Sequence, residues 1–471
     1  MPVLEIAVIG HPNEGKSSVL STLAEDDSVR VSPYPGETTE CRSFPVMIDG
    51  REMLRFTDTP GFQNPERLLY ELKKLVGTDR NLARLLRERF AGDTALRDDL
   101  ELLAPVARGA AILYVVDGSR PPRRVDRDEM EALRLTERPR MAVINCKDDD
   151  RRYLEDWRSE FRRNFNANRM FNAHRATYAE RVALLDALQA IDQQWQPVIA
   201  QVVSAVKKDW QMRLDASAEI ILSTLEEILA FRLSESRSDV RDEQAFQAGL
   251  REKYCSAVAE KEKKAQERLR DLFRHRRFRY RLEGHSILDE DLFSETTWSL
   301  LGLSRQQLTL LGALGGAALA MGLDLLVGGA SLGLFTSVGG AVGAFGAWLG
   351  GDQLLKGVNI MGIPLGEELM QIGPNSNINL MFVLLNRMFL YVQETAHWAH
   401  GRRDYPEAVA VAQQAGFTGR WPAGRIKTCR TWFEAIIHDQ TGEIARLRPE
   451  IREMIAASLQ EISRFEGANE A

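Results

Sequence analysis

The stretch Gly10-His11-Pro12-Asn13-Glu14-Gly15-Lys16-Ser17 constrains this chain more than any other. It reads G-x-x-x-x-G-K-S. An apolar run, Leu4-Glu5-Ile6-Ala7-Val8-Ile9, precedes it and reads as a buried strand. Ser18-Val19-Leu20-Ser21-Thr22-Leu23 follows and reads as the opening of a helix. A glycine-rich turn between strand and helix aims backbone N–H groups at phosphate oxygens, and the helix N-terminus adds positive potential. Asn13, Glu14, Gly15, Lys16, Ser17 and Ser18 are therefore expected to bind the phosphates of a nucleotide. Lys16 is expected to reach the β- and γ-phosphates, and the Ser17 hydroxyl to sit on Mg²⁺. A chance glycine turn is the alternative, and it leaves the register of strand, loop and helix without a reason.

The 471 residues are too many for one ordinary core, so two or three domains are expected. With 44% hydrophobic and 27% charged residues the composition is globular. A net charge of -6 does not suit a general nucleic-acid binder, so nucleic acid is not an expected partner. Cys41, Cys146, Cys255 and Cys429 are scattered, which argues against a zinc site or a disulfide framework and fits a reducing cytoplasm. The first residues run straight into the strand, with no basic segment or cleavage site of an export signal.

Downstream motifs extend the phosphate loop into a nucleotide site. Pro33-Tyr34-Pro35-Gly36-Glu37-Thr38-Thr39-Glu40 reads as a loop, with Thr38 and Thr39 as candidates for a switch threonine over Mg²⁺ and the γ-phosphate. Phe44 to Phe56 reads as a hairpin around Asp49-Gly50. It delivers Asp58-Thr59-Pro60-Gly61, a D-x-x-G that places a carboxylate beside Mg²⁺ and a glycine N–H near the γ-phosphate. Pro65 to Ala107 reads as a helical elaboration, with Leu68, Leu69, Leu72 and Leu75 on one face. Ala110 to Asp117 and Arg140 to Asn145 read as buried parallel strands. The second ends in Asn145-Cys146-Lys147-Asp148. A guanine site usually carries N-K-x-D, the Asp receiving the guanine N–H donors and the Asn supporting the loop. Asn145 and Asp148 keep that spacing, while Lys147 is displaced by one place; guanine is favoured over adenine. Phe171-Asn172-Ala173-His174 follows a weak strand, and Ala183 to Leu188 reads as the closing helix.

Together these motifs, over about residues 1 to 192, resemble the Era-like branch of bacterial GTPases, including the FeoB and MnmE types. The resemblance implies an α/β P-loop GTPase domain, mostly parallel sheet with helices on both faces. It implies Thr38 as the switch threonine, from the P-G-x-T alignment. Phe62 stands where Ras-like proteins place a catalytic glutamine, which implies a hydrophobic-substituted GTPase whose water is oriented by other means. Asn13 matches an asparagine that helps coordinate K⁺ in potassium-activated relatives, often when two G domains meet face to face. A homodimer through G domains is therefore a candidate partner arrangement. Farther on, Gly373-Pro374-Asn375-Ser376-Asn377-Ile378-Asn379 and Phe382 to Arg387 resemble the tail of bacterial GTPases that end in a domain of unknown function.

The rest reads as a mainly α-helical C-terminal region. Trp195 to about Gly284 is charged and helical, with Val198, Val202, Val206 and Trp210 at helical spacing. Lys261 to Arg281 is basic with Phe273, Phe278 and Tyr280 interleaved; a solvated helix face is favoured over phosphate contact. Gln306 to Gly351 carries a single charge, Asp324, and repeated G-x-x-x-G spacing. Its halves, Leu308 to Val327 and Leu332 to Leu349, are each about 20 residues, enough to enter a bilayer. This glycine-rich apolar hairpin either contacts a membrane or packs inside protein. His397 and His400 beside Trp398 read as a helix face rather than a metal site.

The expected domains are 1–194, a GTP-binding domain; 195–298, a charged helical middle; 299–362, the apolar hairpin; and 363–471, a C-terminal helical region. The expected reaction is GTP hydrolysis to GDP and phosphate. Lys16, Thr38 and Gly61 are the catalytic candidates. Asn13, Glu14, Gly15, Lys16, Ser17, Ser18, Asn145, Lys147 and Asp148 are the nucleotide ligands. Ser17, Thr38 and Asp58 would hold Mg²⁺, and Asn13 a K⁺ ion. The expected setting is cytoplasmic, at or in the inner membrane, with membrane lipid or a membrane protein as partner. An RNA-associated GTPase and a poorly hydrolysing scaffold are the rival readings.

Overall fold

A computed structural model describes residues 3–24, 40–79, 81–146, 151–173, 176–236, 242–273, 291–294, 297–298, 301–302, 353–355, 359–360, 363–364, 369–397 and 416–464. Thr38, Lys147, Asp148, His400 and the glycine-rich stretch 306–351 lie outside the described residues.

The first half folds around a six-stranded sheet. Its strands are β1 (Leu4–Ile9), β2 (Arg42–Ile48), β3 (Arg51–Asp58), β4 (Ala111–Asp117), β5 (Arg140–Asn145) and β6 (Ala167–Met170), in the order β2-β3-β1-β4-β5-β6. The β2–β3 pair is antiparallel and closes on the expected Asp49-Gly50 turn, where φ is 48° and 74°. The other pairs are parallel. Pro45 lies in β2, the edge strand of the sheet, where proline is tolerated.

Alternation along the strands builds two cores. Ala7, Ile9, Ile112, Tyr114, Val116, Ala142 and Ile144 face one side, and Ile6, Val8, Leu113, Val115, Met141 and Val143 face the other. Helices cover both faces, as a sheet buried on both sides requires. The first face carries α2 (Pro65–Leu75), α3 (Leu82–Arg89), α4 (Arg97–Leu102), α5 (Ala104–Arg108), α6 (Arg124–Leu135) and α7 (Leu154–Asn164). The second carries α1 (Lys16–Ala24), α8 (Tyr178–Leu188) and the first turns of α9 (Gln196–Leu229), through Ile199, Val202 and Val203. The expected helical elaboration is thus α2 to α5.

Helix α9 spans about 50 Å and passes from that core into a second one. There Trp210 to Leu229 pack with α10 (Glu243–Leu272), α11 (Asn379–His397), α12 (Ala423–Ile437) and α13 (Thr441–Arg464). At the junction Tyr178 stacks on Trp210, ring centroids 4.1 Å apart, and Trp210 meets Phe273 edge-on at 5.4 Å. Phe273, expected on a solvated face, is buried. The region is mainly helical, as expected, and short strands stand among its helices. β7 (Leu233–Ser236), β11 (Leu369–Ile372) and β8 (Gln353–Leu355) form an antiparallel sheet, and β9 (Asn359–Ile360) pairs with β10 (Ile363–Pro364). The pairing that makes β7 a strand comes from residues more than a hundred positions away, so local propensity does not announce it. Among the described residues no helix is long and apolar enough to cross a membrane.

Candidate functional site

The C-terminal ends of the parallel strands carry the site. After β1 the chain turns at Gly10, where a Cβ would come within 2.3 Å of the Val115 carbonyl oxygen, so only glycine fits. Asn13 (φ 66°) and Gly15 (φ 93°) take the left-handed region, which turns successive N–H groups to one side. Helix α1 starts at Lys16. The Lys16 Nζ donates to the Gly10 carbonyl at 3.1 Å and the His11 carbonyl at 2.9 Å, which folds the ammonium over the loop. Burial lowers its pKa, against the raising pull of Asp58, Glu129 and Glu14.

Parallel pairing sets Val8 beside Asp58, so β3 ends next to the loop. Ser17 Oγ donates to Asp58 Oδ2 at 2.9 Å. Thr59 Oγ1 donates to the Val8 carbonyl at 2.7 Å and ties the D-x-x-G strand end to β1. Gly61 presses on Pro12, where a Cβ would meet its ring at 2.7 Å. Phe62 is 1% exposed and turned into the core beneath, not toward the loop. It therefore presents no polar group to the site.

At the end of β5, Asn145 is fully buried and bridges two loops. Its Nδ2 donates to the Glu14 carbonyl at 3.1 Å, and its Oδ1 accepts from Ala173 N at 3.2 Å. Cys146, in the usual lysine slot, is buried against Gly118, where a Cβ would come 2.9 Å from its sulfur.

Helix α6 braces the loop from behind. Glu14 is 4% exposed and takes Arg120 Nε at 3.2 Å, besides the Asp117 backbone N–H. Arg120 also donates to both oxygens of Asp126 on α6, at 2.7 and 2.8 Å. Two carboxylates hold the Arg120 pKa above its ordinary value. One turn on, Glu129 takes Tyr114 OH at 2.8 Å, and its other oxygen lies 2.7 Å from His11 Nδ1. Burial pushes the Glu129 carboxyl up, against the hydrogen bonds from His11 and Tyr114.

The family described as "Domain of unknown function (DUF3482)" matches residues 158–461. The chain belongs to the DUF3482 family. Ahead of that region, the family described as "50S ribosome-binding GTPase" matches residues 5–146. The first half of this DUF3482 protein is a P-loop GTPase domain. GTPase Der of Nostoc punctiforme is similar to it, 26% identical over 151 residues, 32% of this chain and 28% of that protein. The tRNA modification GTPase MnmE of Geobacillus kaustophilus is 28% identical over 135 residues, 28% of each chain. The chain thus spans about 28% of the length of these curated relatives. Among solved structures, a variant of Aquifex aeolicus Era bound to GDP·AlF4⁻ is 16% identical, with a TM-score of 0.30 over 50% of this chain and 73% of that one.

The donors present suit a small hard cation: the Ser17 hydroxyl and the Asp58 carboxylate meet at 2.9 Å beside the phosphate loop, both oxygen ligands. Sequence reading identified the loop, Asp58, Gly61 and Asn145, and the fold brings these together. It missed His11, Arg120, Asp126 and Glu129. A signal for two of them exists: Asp126 and Glu129 lie on the same stripe of α6 as the buried Met130 and Leu133. A carboxylate on an apolar stripe needs a partner.

Proposed function

We propose that this DUF3482 protein binds GTP at the Gly10–Ser17 loop and hydrolyses it to GDP and phosphate by in-line attack of water. The supporting observation is the convergence of Lys16, Ser17 and Asp58 on one loop, with Asn145 joining that loop to the base side. Backbone N–H groups of residues 13 to 18 bind phosphate oxygens. The Lys16 ammonium leaves its two carbonyls for the β- and γ-phosphates and neutralises charge there. The Gly61 N–H senses the γ-phosphate, Thr38 closes from the first switch, and Asp148 reads guanine. Ser17, Thr38 and Asp58 would hold Mg²⁺, which supplies charge neutralisation between phosphate oxygens when bound. Asn13, exposed at the crest of the loop, would hold K⁺.

The cycle would order and release the two switches. Contact with a membrane through the apolar stretch 306–351 is part of the same proposal, supported by its single charge in the sequence. Phosphate release in potassium buffer, with and without liposomes, tests both parts. The expected result is K⁺-stimulated turnover lost in Lys16→Ala and raised or recruited by liposomes. No turnover in K⁺ or Na⁺ removes the enzyme reading, and protein that never floats with vesicles removes the membrane one. The matched family's description names 50S ribosome binding. Salt-sensitive RNA binding that needs the arginines from Arg268 onward would favour that second reading.

A further inference from the structure

Helix α4, inside the elaboration between the second switch and β4, touches the outgoing end of both switches. Asp99 is fully buried and accepts the backbone N–H groups of Gln63 and Asn64, each at 3.0 Å. These are the two residues after Phe62. The hold is reinforced nearby: Asn64 Nδ2 donates to the Ala95 carbonyl at 2.7 Å, and Arg67 pairs with Asp93. Gln63 Nε2 reaches back to the Gly61 carbonyl at 3.4 Å.

Two residues along, Glu101 holds Cys41. Its Oε1 accepts from Cys41 N at 3.3 Å, and its carbonyl accepts from the Cys41 thiol at 3.2 Å. Cys41 immediately precedes β2, the strand by which the chain leaves the first switch loop.

Packing alone does not explain Asp99, since a buried carboxylate is costly unless its bonds are needed. Burial pushes its carboxyl up to about 6 even with two N–H donors on it. The Phe62 side chain is apolar and buried, and its backbone N–H donates to the Gly10 carbonyl at 3.4 Å, so the backbone that Asp99 holds runs directly from the phosphate loop.

We infer that Asp99 is a positioning residue for GTP hydrolysis, and that α4 straps the two switches together and passes the nucleotide state to the helical elaboration. This rests on the GTPase reading above. Asp99→Asn keeps the size of the side chain but sets an NH₂ group against one of the two N–H donors. In the full chain it is expected to lower kcat about tenfold while GDP and a non-hydrolysable GTP analogue bind within about twofold of wild type. A merely structural role would move both together or neither.

Hydrogen exchange supplies a readout that needs neither turnover nor the variant. Segments 60–66 and 95–103 of the wild type should exchange more slowly with the GTP analogue than with GDP. Glu101→Ala, at a partly exposed position, should weaken that difference at 40–44 and leave it at 60–66. Wild type that binds no guanine nucleotide overturns the GTPase reading and the inference together. Nucleotide binding with kcat unchanged in Asp99→Asn, or with α4 exchange equal in both nucleotides, overturns the inference alone.

Discussion

In the GTPase domain several buried polar side chains converge on one loop: Asp126 through Arg120 on Glu14, Glu129 on His11, and Asn145 on the Glu14 carbonyl. In the helical domain two others, Arg387 and Asn386, join separate elements. Glu262 on α10 meets Arg387 on α11 at 2.6 Å, both about 5% exposed or less. Asn386 exchanges bonds with Thr418 and also donates to the Leu301 carbonyl. Asn386 and Arg387 belong to the stretch that resembles the tail of bacterial GTPases ending in a domain of unknown function. Their partners are internal, so that stretch holds helices together. The contrast separates two uses of a buried charge: shaping a loop for a ligand, and registering helices.

Mutation should pull these uses apart. Arg387→Ala leaves Glu262 buried without its cation and is expected to cost about 3–5 kcal/mol of stability. It should leave nucleotide affinity of the still-folded protein unchanged. Thermal unfolding beside a binding titration checks both, and a loss of affinity without a loss of stability would break the contrast. Lys16→Ala should do the reverse, with turnover falling about 100- to 1000-fold and the unfolding midpoint hardly moving.

A third comparison turns on Asp99. Its folded-state pKa of about 6 lies above the 3.8 of an ordinary aspartate. The folded state therefore holds the proton more tightly, and this contribution is complete below the ordinary value and lost as pH rises through about 6. Wild type should gain on Asp99→Asn by about 1.4 kcal/mol for each pH unit lowered between about 6 and 4. Paired melting curves across that range measure it; parallel curves would mean that Asp99 is not buried as described. The smallest effect concerns the brace. Arg120→Ala should weaken nucleotide binding about tenfold, because Glu14 and Asp126 lose the nearer of the two arginines they share, leaving Arg123. Unchanged affinity would make the brace a purely structural feature.

The phosphate loop, the Asp58–Gly61 turn and Asn145 were legible because each is a short local pattern whose spacing the chemistry dictates. The fold around them followed from strand alternation and the 3.6-residue period of the covering helices. The braces were not legible, since His11 and Glu129, or Glu14 and Arg120, meet only after the sheet has formed. The same holds for Asp99, whose partners Gln63 and Asn64 donate through backbone atoms that no residue type betrays. Strand β7 depends on pairing with β11, and its own four residues give no strand signal.

Calorimetric titration of the full chain with GTP in magnesium buffer is the most direct measurement. One saturable site per chain is expected, competed by GDP but not by ATP and lost in Lys16→Ala. No binding heat at any GTP concentration, or equal competition by ATP, would contradict a guanine-nucleotide site at this loop.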